Sequence, residues 1–282
     1  MYKRQLDAGT IGEIVSVEHL EPVGYWHQAH SFVRGHWRNE TQSSPMLLAK
    51  SCHDLDWLRY VVGRPCERVS SFGSLKHFRR EAQPAGASDR CVTCPSEVET
   101  RCPYSATRFY LGRLEAGDTG WPVNVITSNF TEAGVIKALE AGPYGRCVYA
   151  SDNDVVDHQV VNFEFQGGVT ASFTMTAFTR ARGRETRIFG TRGELYGDSQ
   201  HLSVFDFLTN ETTAIDTDVA SDGSIRSGHG GGDDGLMAAF VRAVAQGDPS
   251  LILSGPQETL ESHLMVFAAC LLYTSDAADE RS

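Results

Sequence analysis

The sequence is short of positive charge. Its 282 residues include 25 lysines and arginines against 36 aspartates and glutamates, which gives a formal net charge of -11 at pH 7. A protein that binds a nucleic-acid backbone needs a basic surface, because lysine and arginine must neutralise the phosphates. The composition therefore argues against a nucleic-acid partner.

Long apolar runs are missing as well. No stretch approaches the roughly 20 apolar residues that span a bilayer, and no short apolar segment follows a basic start, as it would in a signal peptide. We therefore expect a cytoplasmic chain without a membrane partner. Hydrophobic residues still make up 41% of the chain, enough for a sizeable core at this length.

The two ends of the chain differ from its interior. The opening MYKRQ and the closing LLYTSDAADERS resemble translated read-through of a sequencing adaptor. At the C-terminal end, the helix-like ETLESHLMVFAAC passes abruptly into the polar and acidic TSDAADERS. We predict that residues 1–7 and 270–282 are not native and that one domain spans residues 8–269.

Alternating apolar residues predict several strands. GEIVSVEHL (12–20) alternates with Val15 and Val17 on one face, while VVNFEF and VTASFTMTAF flank Gln166-Gly167-Gly168, a hairpin signal. TRIFG, GELYG and LSVFDF continue the pattern, and a helix is expected after Pro103. The predicted fold class is α+β, with a largely antiparallel open sheet and helices on one face.

The stretch LLAKSCHDLDWLRYVVG predicts a helix with two occupied sides, and Gly63 marks its end. Apolar residues recur at steps of three or four on one side: Leu48, Cys52, Leu55, Leu58 and Val62. Residues three and four apart are also neighbours on the other stripe, which carries Lys50, His53, Asp54, Trp57 and Val61. Such a helix either packs twice or faces a functional site.

The segment EPVGYWHQAHSFVRGHWR ahead of this helix concentrates planar hydrogen-bond donors and aromatic rings. This composition suits a sugar or polyol, whose hydroxyl groups need directional hydrogen bonds and whose CH faces stack on rings. A metal site, and an interdomain or oligomer surface, are the alternative interpretations. The predicted substrate-binding residues are Glu21, Trp26, His27, His30, Arg34 and, on a later glycine-rich loop, His229.

Residues 77–104 form a predicted irregular insertion that holds three cysteines. Cys91 and Cys94 form a CxxC, and Cys102 follows. A tetrahedral zinc site needs a fourth ligand, which His77 or Cys66 could supply. We predict a structural zinc site of Cys91, Cys94, Cys102 and His77. An iron–sulfur cluster, reduced thiols and disulfides remain alternatives.

HDLDWLRYVVG, the hairpin QGGVTASFTMTAFT and the loop FGTRGELYGD together resemble the C-terminal domain of the Gfo/Idh/MocA family, the glucose-fructose oxidoreductase and inositol dehydrogenase group. The resemblance covers residues 8–269. It implies a sheet domain that supplies the substrate site and an oligomer interface, here expected to join identical chains through the sheet. Family members also carry an N-terminal Rossmann domain that binds NAD or NADP.

That dinucleotide domain is absent from this chain, since no GxGxxG follows a strand and opens a helix. The family's Glu-Lys-Pro, whose lysine lies near the nicotinamide, is absent too. By resemblance, His53 is the acid or base toward a substrate hydroxyl. The family often has an aspartate four residues before this histidine, and Ala49 stands there instead. Lys50 is the second predicted catalytic residue, although it could simply pair with Asp54 on a solvated face.

The predicted function is therefore the substrate domain of an NAD(P)-dependent oxidoreductase that acts on a sugar, polyol or related hydroxy compound. The chain is expected to be truncated before its cofactor domain and to be inactive alone. One alternative is a non-catalytic domain that binds a sugar or a partner and carries a structural metal. A metal-dependent hydrolase is a third interpretation.

Overall fold

An eight-stranded sheet forms the centre of the computed structural model, which describes residues 2–215, 232–252 and 254–274. Its strands are β1 (Ile14–Pro22), β2 (Cys66–Ser74), β3 (His158–Phe165), β4 (Val169–Thr176), β5 (Glu185–Gly190), β6 (Gly193–Gly197), β7 (Leu202–Asp206) and β8 (Glu211–Ile215). Their order is β2-β3-β4-β1-β5-β6-β7-β8. β1 and β4 run parallel, and the other neighbouring pairs are antiparallel. The predicted largely antiparallel open sheet is confirmed.

Two long helices cover one face of this sheet. The helices are α1 (Tyr2–Asp7), α2 (Tyr25–His27), α3 (Met46–Val62), α4 (Ser96–Glu99), α5 (Ala106–Glu115), α6 (Val123–Ile126), α7 (Glu132–Ala141), α8 (Gly232–Gln246) and α9 (Pro256–Thr274). α3 packs against α9, β1 and β4, and α9 packs against β2. The prediction of helices on one face holds for α3 and α9. Within the described ranges, no helix is long and apolar enough to cross a membrane.

The core lies between this helix pair and the sheet. Its fully buried side chains include Val17, Phe173 and Ile188 from the sheet, Leu55 and Leu58 from α3, and Val266 and Ala269 from α9. Burying each large apolar side chain contributes about 1.5–3 kcal/mol, so this layer fixes where α3 lies over β1. α9 continues beyond residue 269, and Cys270 within it is buried.

Helix α3 ends where the sequence predicts. Gly63 has φ +69°, the left-handed conformation, and its N–H donates to the carbonyl of Arg59. Glycine adopts this conformation without the steric cost that a Cβ brings. The helix therefore stops at Gly63, and the chain turns into β2.

In strand β1, Val15 and Val17 do not lie on the same face, contrary to the prediction. Val17 is fully buried, whereas Val15 is 51% exposed. A register irregularity between Ile14 and Ser16 in the pairing with β5 separates the two valines. Since an extra residue at a bulge shifts the alternation by one, only the stretch after Ser16 faces the core regularly.

The connection between β2 and β3 is larger than the predicted insertion. It contains α4 to α7 and contributes to two small apolar clusters, one of which lies wholly within it. One cluster packs Phe78 and Val148 against Val33, which lies in a π-helical turn (Gln28–Arg34) directly after α2. The predicted helix after Pro103 is α5, and the Ser105 hydroxyl caps its start.

Candidate functional site

Strand β1 directs two polar side chains into the layer beneath α3. Val17, His19 and Glu21 alternate on the covered face, because successive residues of a strand point to opposite sides. The side chains of His19 and Glu21 are only 3% and 4% exposed. A buried polar group costs free energy unless it has a partner, so the neighbouring elements must supply partners.

Helix α3 and strand β5 supply the partners of His19. Its Nε2 lies 3.2 Å from Asp54 Oδ1, and its Nδ1 lies 2.8 Å from Thr186 Oγ1. The imidazole also stacks on Trp57, with the ring centroids 4.9 Å apart, and on Phe173. His19 is therefore held at both ring nitrogens and by two stacked aromatic rings, and it fixes the Asp54 carboxylate.

Arg184, one residue before β5, connects the two buried carboxylates. Its Nη2 lies 3.0 Å from Glu21 Oε2, and its Nε donates to Asp54 Oδ1. The same Nη2 donates to His53 Nε2. Lys50 Nζ forms a second ion pair with Glu21 Oε1 at 3.0 Å. We call Glu21, Lys50, His53, Asp54 and Arg184 the charged cluster.

The charged cluster has balanced charge. Two cations, Lys50 and Arg184, face two carboxylates, Glu21 and Asp54. Burial alone would raise the pKa of Asp54, but the hydrogen bonds from His19 and Arg184 outweigh burial and lower that pKa to about 2. Asp54 is therefore ionised at neutral pH, and the cluster has no net formal charge when His53 is neutral.

His53 is the member of the cluster that solvent reaches most easily. Its side chain is 58% exposed, against 16% for Lys50. Burial of the ring and the positive charges of Arg184 and Lys50 lower its pKa, and the Asp54 carboxylate opposes this shift. Because a guanidinium can only donate, His53 Nε2 is the acceptor in its contact with Arg184. His53 is therefore neutral at physiological pH and can accept a proton.

An aromatic patch begins where β1 passes into α2. Trp26 stacks on Phe109 of α5 with centroids 5.2 Å apart, and the Arg113 guanidinium lies over the Trp26 ring. His27 meets Trp121 edge to face at 5.1 Å. Burial and the charge of Lys50 lower the pKa of His27 to about 4, so its imidazole is neutral at physiological pH.

His30 and Arg34 lie deeper and form hydrogen bonds within the protein. His30 Nδ1 lies 2.6 Å from the Tyr110 hydroxyl. Arg34 donates from Nε to the carbonyl of Arg146 at 2.7 Å and from Nη2 to the carbonyl of Tyr104 at 2.7 Å. Both residues are 3% exposed. In this structure they support the connection between β2 and β3, and they are not available to a ligand at the surface.

The predicted zinc ligands separate into two environments. Cys91, Cys94 and Cys102 line one small cavity, whereas His77 is not among its lining residues. His77 Nε2 lies 3.1 Å from the Tyr149 hydroxyl. Among the residues with described positions, no group of three or more His, Cys, Asp or Glu side chains is arranged to hold a metal ion. The predicted set with His77 is therefore not formed.

The sequence matches one protein family along nearly its whole length. The family is described as "Oxidoreductase family, C-terminal alpha/beta domain", the Gfo/Idh/MocA group, and the match covers residues 3–269. The chain belongs to the Gfo/Idh/MocA family. This confirms the resemblance carried by the α3 helix, the β3–β4 hairpin and the GTRGELYGD turn.

Individual relatives agree with this assignment. A Bacillus subtilis (strain 168) protein named as an oxidoreductase, YteT, is 24% identical over 205 residues, which are 71% of this chain and 45% of that protein. Levoglucosan dehydrogenase in complex with NADH and levoglucosan has a TM-score of 0.56 at 16% identity, covering 96% of this chain and 61% of that one. UDP-N-acetylglucosamine 3-dehydrogenase GnnA from Acidithiobacillus ferrooxidans has a TM-score of 0.53 at 10% identity, covering 96% and 57%. These structures share the fold.

The chain is thus a C-terminal domain of the Gfo/Idh/MocA oxidoreductase family. It spans about half the length of the curated relative that it matches and about 60% of the two solved structures.

The structure brings together some predicted site residues of this Gfo/Idh/MocA domain and adds others. Glu21, Lys50 and His53 meet in the charged cluster, and Trp26 and His27 lie in the aromatic patch. His229 lies outside the described residues. Sequence reasoning missed His19 and Arg184. The alternation of His19 with Val17 was an available signal, but nothing near Arg184 distinguishes it from the other arginines of RARGR.

Proposed function

We propose that this chain forms the substrate half of an NAD(P)-dependent oxidoreductase that acts on a hydroxyl group of a neutral sugar or polyol. One observation carries the proposal: a neutral, exposed imidazole stands at the rim of a charge-balanced, buried cluster. Solved structures with the same fold include dehydrogenases whose names state sugar substrates and complexes with NADH, which supports the same reaction class.

The charge balance favours a neutral substrate. Lys50 and Arg184 are each already paired with a buried carboxylate. A carboxylate or phosphate on the substrate would have to displace Glu21 or Asp54, leaving that side chain buried and unpaired at a cost of several kcal/mol. Hydroxyl groups can instead donate to carboxylate oxygens and accept from Lys50 or Arg184 without changing the net charge.

His53 would hold and move the proton. Its Nε2 accepts from Arg184 in this structure, and a substrate hydroxyl would take the place of that donor. Nε2 would then receive the hydroxyl proton as the carbon is oxidised. Lys50 and Arg184 would stabilise negative charge that develops on the substrate oxygen. Trp26 and His27 would offer ring faces to the CH groups of a sugar.

The described residues of this chain do not fit a dinucleotide by themselves. They contain no strand followed by a glycine-rich turn and a helix N-terminus, the arrangement that binds pyrophosphate. We propose that NAD or NADP is held mainly by chain outside this sequence. When bound, the cofactor supplies a hydride acceptor, and the residues of this chain supply proton transfer and substrate orientation.

We propose further that two copies associate through the uncovered face of the sheet. The face opposite α3 and α9 exposes Phe72 (71%) and its neighbour on β3, Val160 (37%). Light scattering should give a mass above that of one chain. Phe72→Glu should reduce association, whereas Phe207→Glu, at an exposed turn residue, should not.

A reducing compartment fits the cysteines of this chain. All seven are free thiols, and disulfides are rare in the cytosol. We therefore keep the cytoplasm as the proposed location, and it is tested by the distribution of the tagged protein between cell fractions.

The decisive experiment for this function is a turnover assay on the complete protein that contains this chain. Neutral sugars and polyols, together with matched uronic acids, are offered with NAD and with NADP. We expect turnover of a neutral substrate, and a loss of about 100-fold or more in His53→Asn, the usual contribution of a general base. His201→Asn, at a 79% exposed histidine, is the control. Equal activity of the two variants, or a preference for the uronic acid, would contradict the proposal.

A further inference from the structure

Four cysteines, not three, surround the small cavity next to α4. Cys91, Cys94, Cys102 and Cys147 all line it. Cys147 is 45 residues beyond Cys102 in sequence, and the backbone brings it close. Its N–H donates to the carbonyl of Asp89 at 2.9 Å, next to the bridge between Arg90 and Arg146. Four thiols around one small space are the donor set of a tetrahedral zinc site.

A buried cation lies against these thiols. Arg34 is 3% exposed, and its guanidinium donates hydrogen bonds to two carbonyl groups and to Cys91 Sγ, which lies 3.5 Å from Nη2. Across the described part of the chain, no carboxylate pairs with it. A charge removed from water is costly unless an opposite charge compensates it. Thiolates are the nearby groups that can become negative.

We propose that Cys91, Cys94, Cys102 and Cys147 bind one divalent metal ion of the zinc type, and that Arg34 offsets the negative charge of the site. Binding forms four metal–sulfur bonds and breaks four S–H bonds, whose protons pass to the buffer. The metal with four thiolates carries a net charge of -2, and the adjacent guanidinium offsets half of it. The thiolates thereby supply the negative charge that no carboxylate of the described residues offers to Arg34.

The size of the cavity favours a single ion. Its volume is about 20 Å³, and a space of roughly 10–15 Å³ holds one water molecule. An iron–sulfur cluster, with several iron and sulfide atoms, needs more room.

Metal binding would also require the cysteine side chains to rotate. No group of three thiols is arranged as a metal site in the described structure, so ligation requires that the side chains turn between the staggered χ1 positions of cysteine.

The metal would join distant parts of the connection between β2 and β3, since Cys147 lies on a different segment from the other three ligands. Cys91, Cys94 and Cys102 belong to the segment around α4, whereas Arg34 belongs to the π-helical turn after α2. Through the attraction between its thiolates and Arg34, the site would also hold this connection, with Phe109 of the aromatic patch, against the segment that carries Trp26 and His27. This assignment concerns stability and does not depend on the proposed reaction.

The test is titration of the metal-free chain with Co²⁺, together with metal analysis of the purified chain. We expect thiolate-to-cobalt charge-transfer absorption that saturates at about one ion per chain, and about one zinc in the isolated protein. This wild-type measurement requires no variant to fold. Absence of the charge-transfer band, or iron with inorganic sulfide in the purified chain, would overturn the proposal.

Three substitutions separate the ligand sets. Cys147→Ser should abolish the cobalt band at ion concentrations that saturate the wild type, whereas His77→Ala and the control Cys66→Ser should keep it. Retention in Cys147→Ser with loss in His77→Ala would overturn the assignment of the fourth ligand. Arg34→Met should weaken cobalt affinity by roughly 10–100-fold, as loss of a group that supports metal ligands does. Its control is Arg38→Met, at a residue paired with Asp152.

Discussion

Removing the Arg184 side chain should destabilise the domain far more than removing a neighbouring arginine of similar exposure. Arg184 contacts Glu21 and Asp54, whose side chains are only 4% and 1% exposed. In Arg184→Met, Glu21 keeps Lys50 and Asp54 keeps His19. The cluster would nevertheless hold one excess negative charge in a nearly dry layer.

The magnitude follows from burial. Removing one partner of a buried ion pair usually costs about 3–5 kcal/mol. Because Arg184 itself is 34% exposed, water can enter the space it leaves, and we expect about 2 kcal/mol in the free energy of unfolding. In a chain of this size that corresponds to a fall of roughly 4–8 °C in Tm.

Urea unfolding of the chain at pH 7 and at pH 3 is the assay, and Arg182→Met is the matched control. Arg182 lies two residues away and forms a surface pair with Glu185, with side-chain exposures of 31% and 33%. Such a pair contributes only about 0–1 kcal/mol. Equal loss of stability in the two variants would refute the reasoning.

The pH dependence has a definite sign. In the folded wild type, burial raises the pKa of Asp54, but hydrogen bonds from His19 and Arg184 lower it from 3.8 to about 2. The resulting stabilisation is complete above about pH 4 and is lost as the pH falls toward about 2. The deficit of Arg184→Met should therefore be larger at pH 7 than at pH 3.

Two further predictions concern the cluster and the end of α3. Glu21→Gln should lower the pKa of His53, because the Glu21 carboxylate raises that pKa. An NMR titration of the His53 imidazole measures the shift. The control is Glu18→Gln, on the opposite face of β1, which should leave the pKa of His53 unchanged. Gly63→Ala should lower the free energy of unfolding by about 1–2 kcal/mol. The added Cβ would meet open space, so the whole cost comes from the left-handed backbone conformation. Gly112 also faces open space but lies inside α5, so Gly112→Ala should raise the free energy of unfolding by about 0.5–1 kcal/mol. Loss of stability in both variants would contradict this explanation.

The sequence predicted those elements whose structure depends on residues close together in the chain. The period of α3 and the stop at Gly63 depend on neighbours along the chain, and so does the turn at Gln166-Gly167-Gly168. β2 and β8 were not predicted. They are the two edge strands of the sheet, and an edge strand buries too few side chains to show alternation. In β2, Phe72 points away from the core and is 71% exposed.

The sequence predicted only those site residues that lie on one helix and at the end of one strand. Lys50 and His53 follow from the second stripe of α3, and Glu21 follows from the polar segment EPVGYWHQAHSFVRGHWR, whose first two residues end β1. Arg184 joins them from a loop 130 residues beyond Asp54, and only the tertiary structure selects it. Cys147 lies 45 residues beyond Cys102 in the sequence, and only the pairing of Arg146 with Arg90 in the folded chain brings it to the other cysteines.

The pH dependence of kcat/KM for a neutral polyol, measured on the complete protein with saturating cofactor, tests the central claim most directly. His53 must be unprotonated to accept the hydroxyl proton, and its pKa lies below the ordinary value of 6.5. We predict that kcat/KM is constant near pH 7 and falls only below pH 6.5, and that His53→Asn removes this limb together with most of the activity. A limb that persists unchanged in His53→Asn would contradict the account.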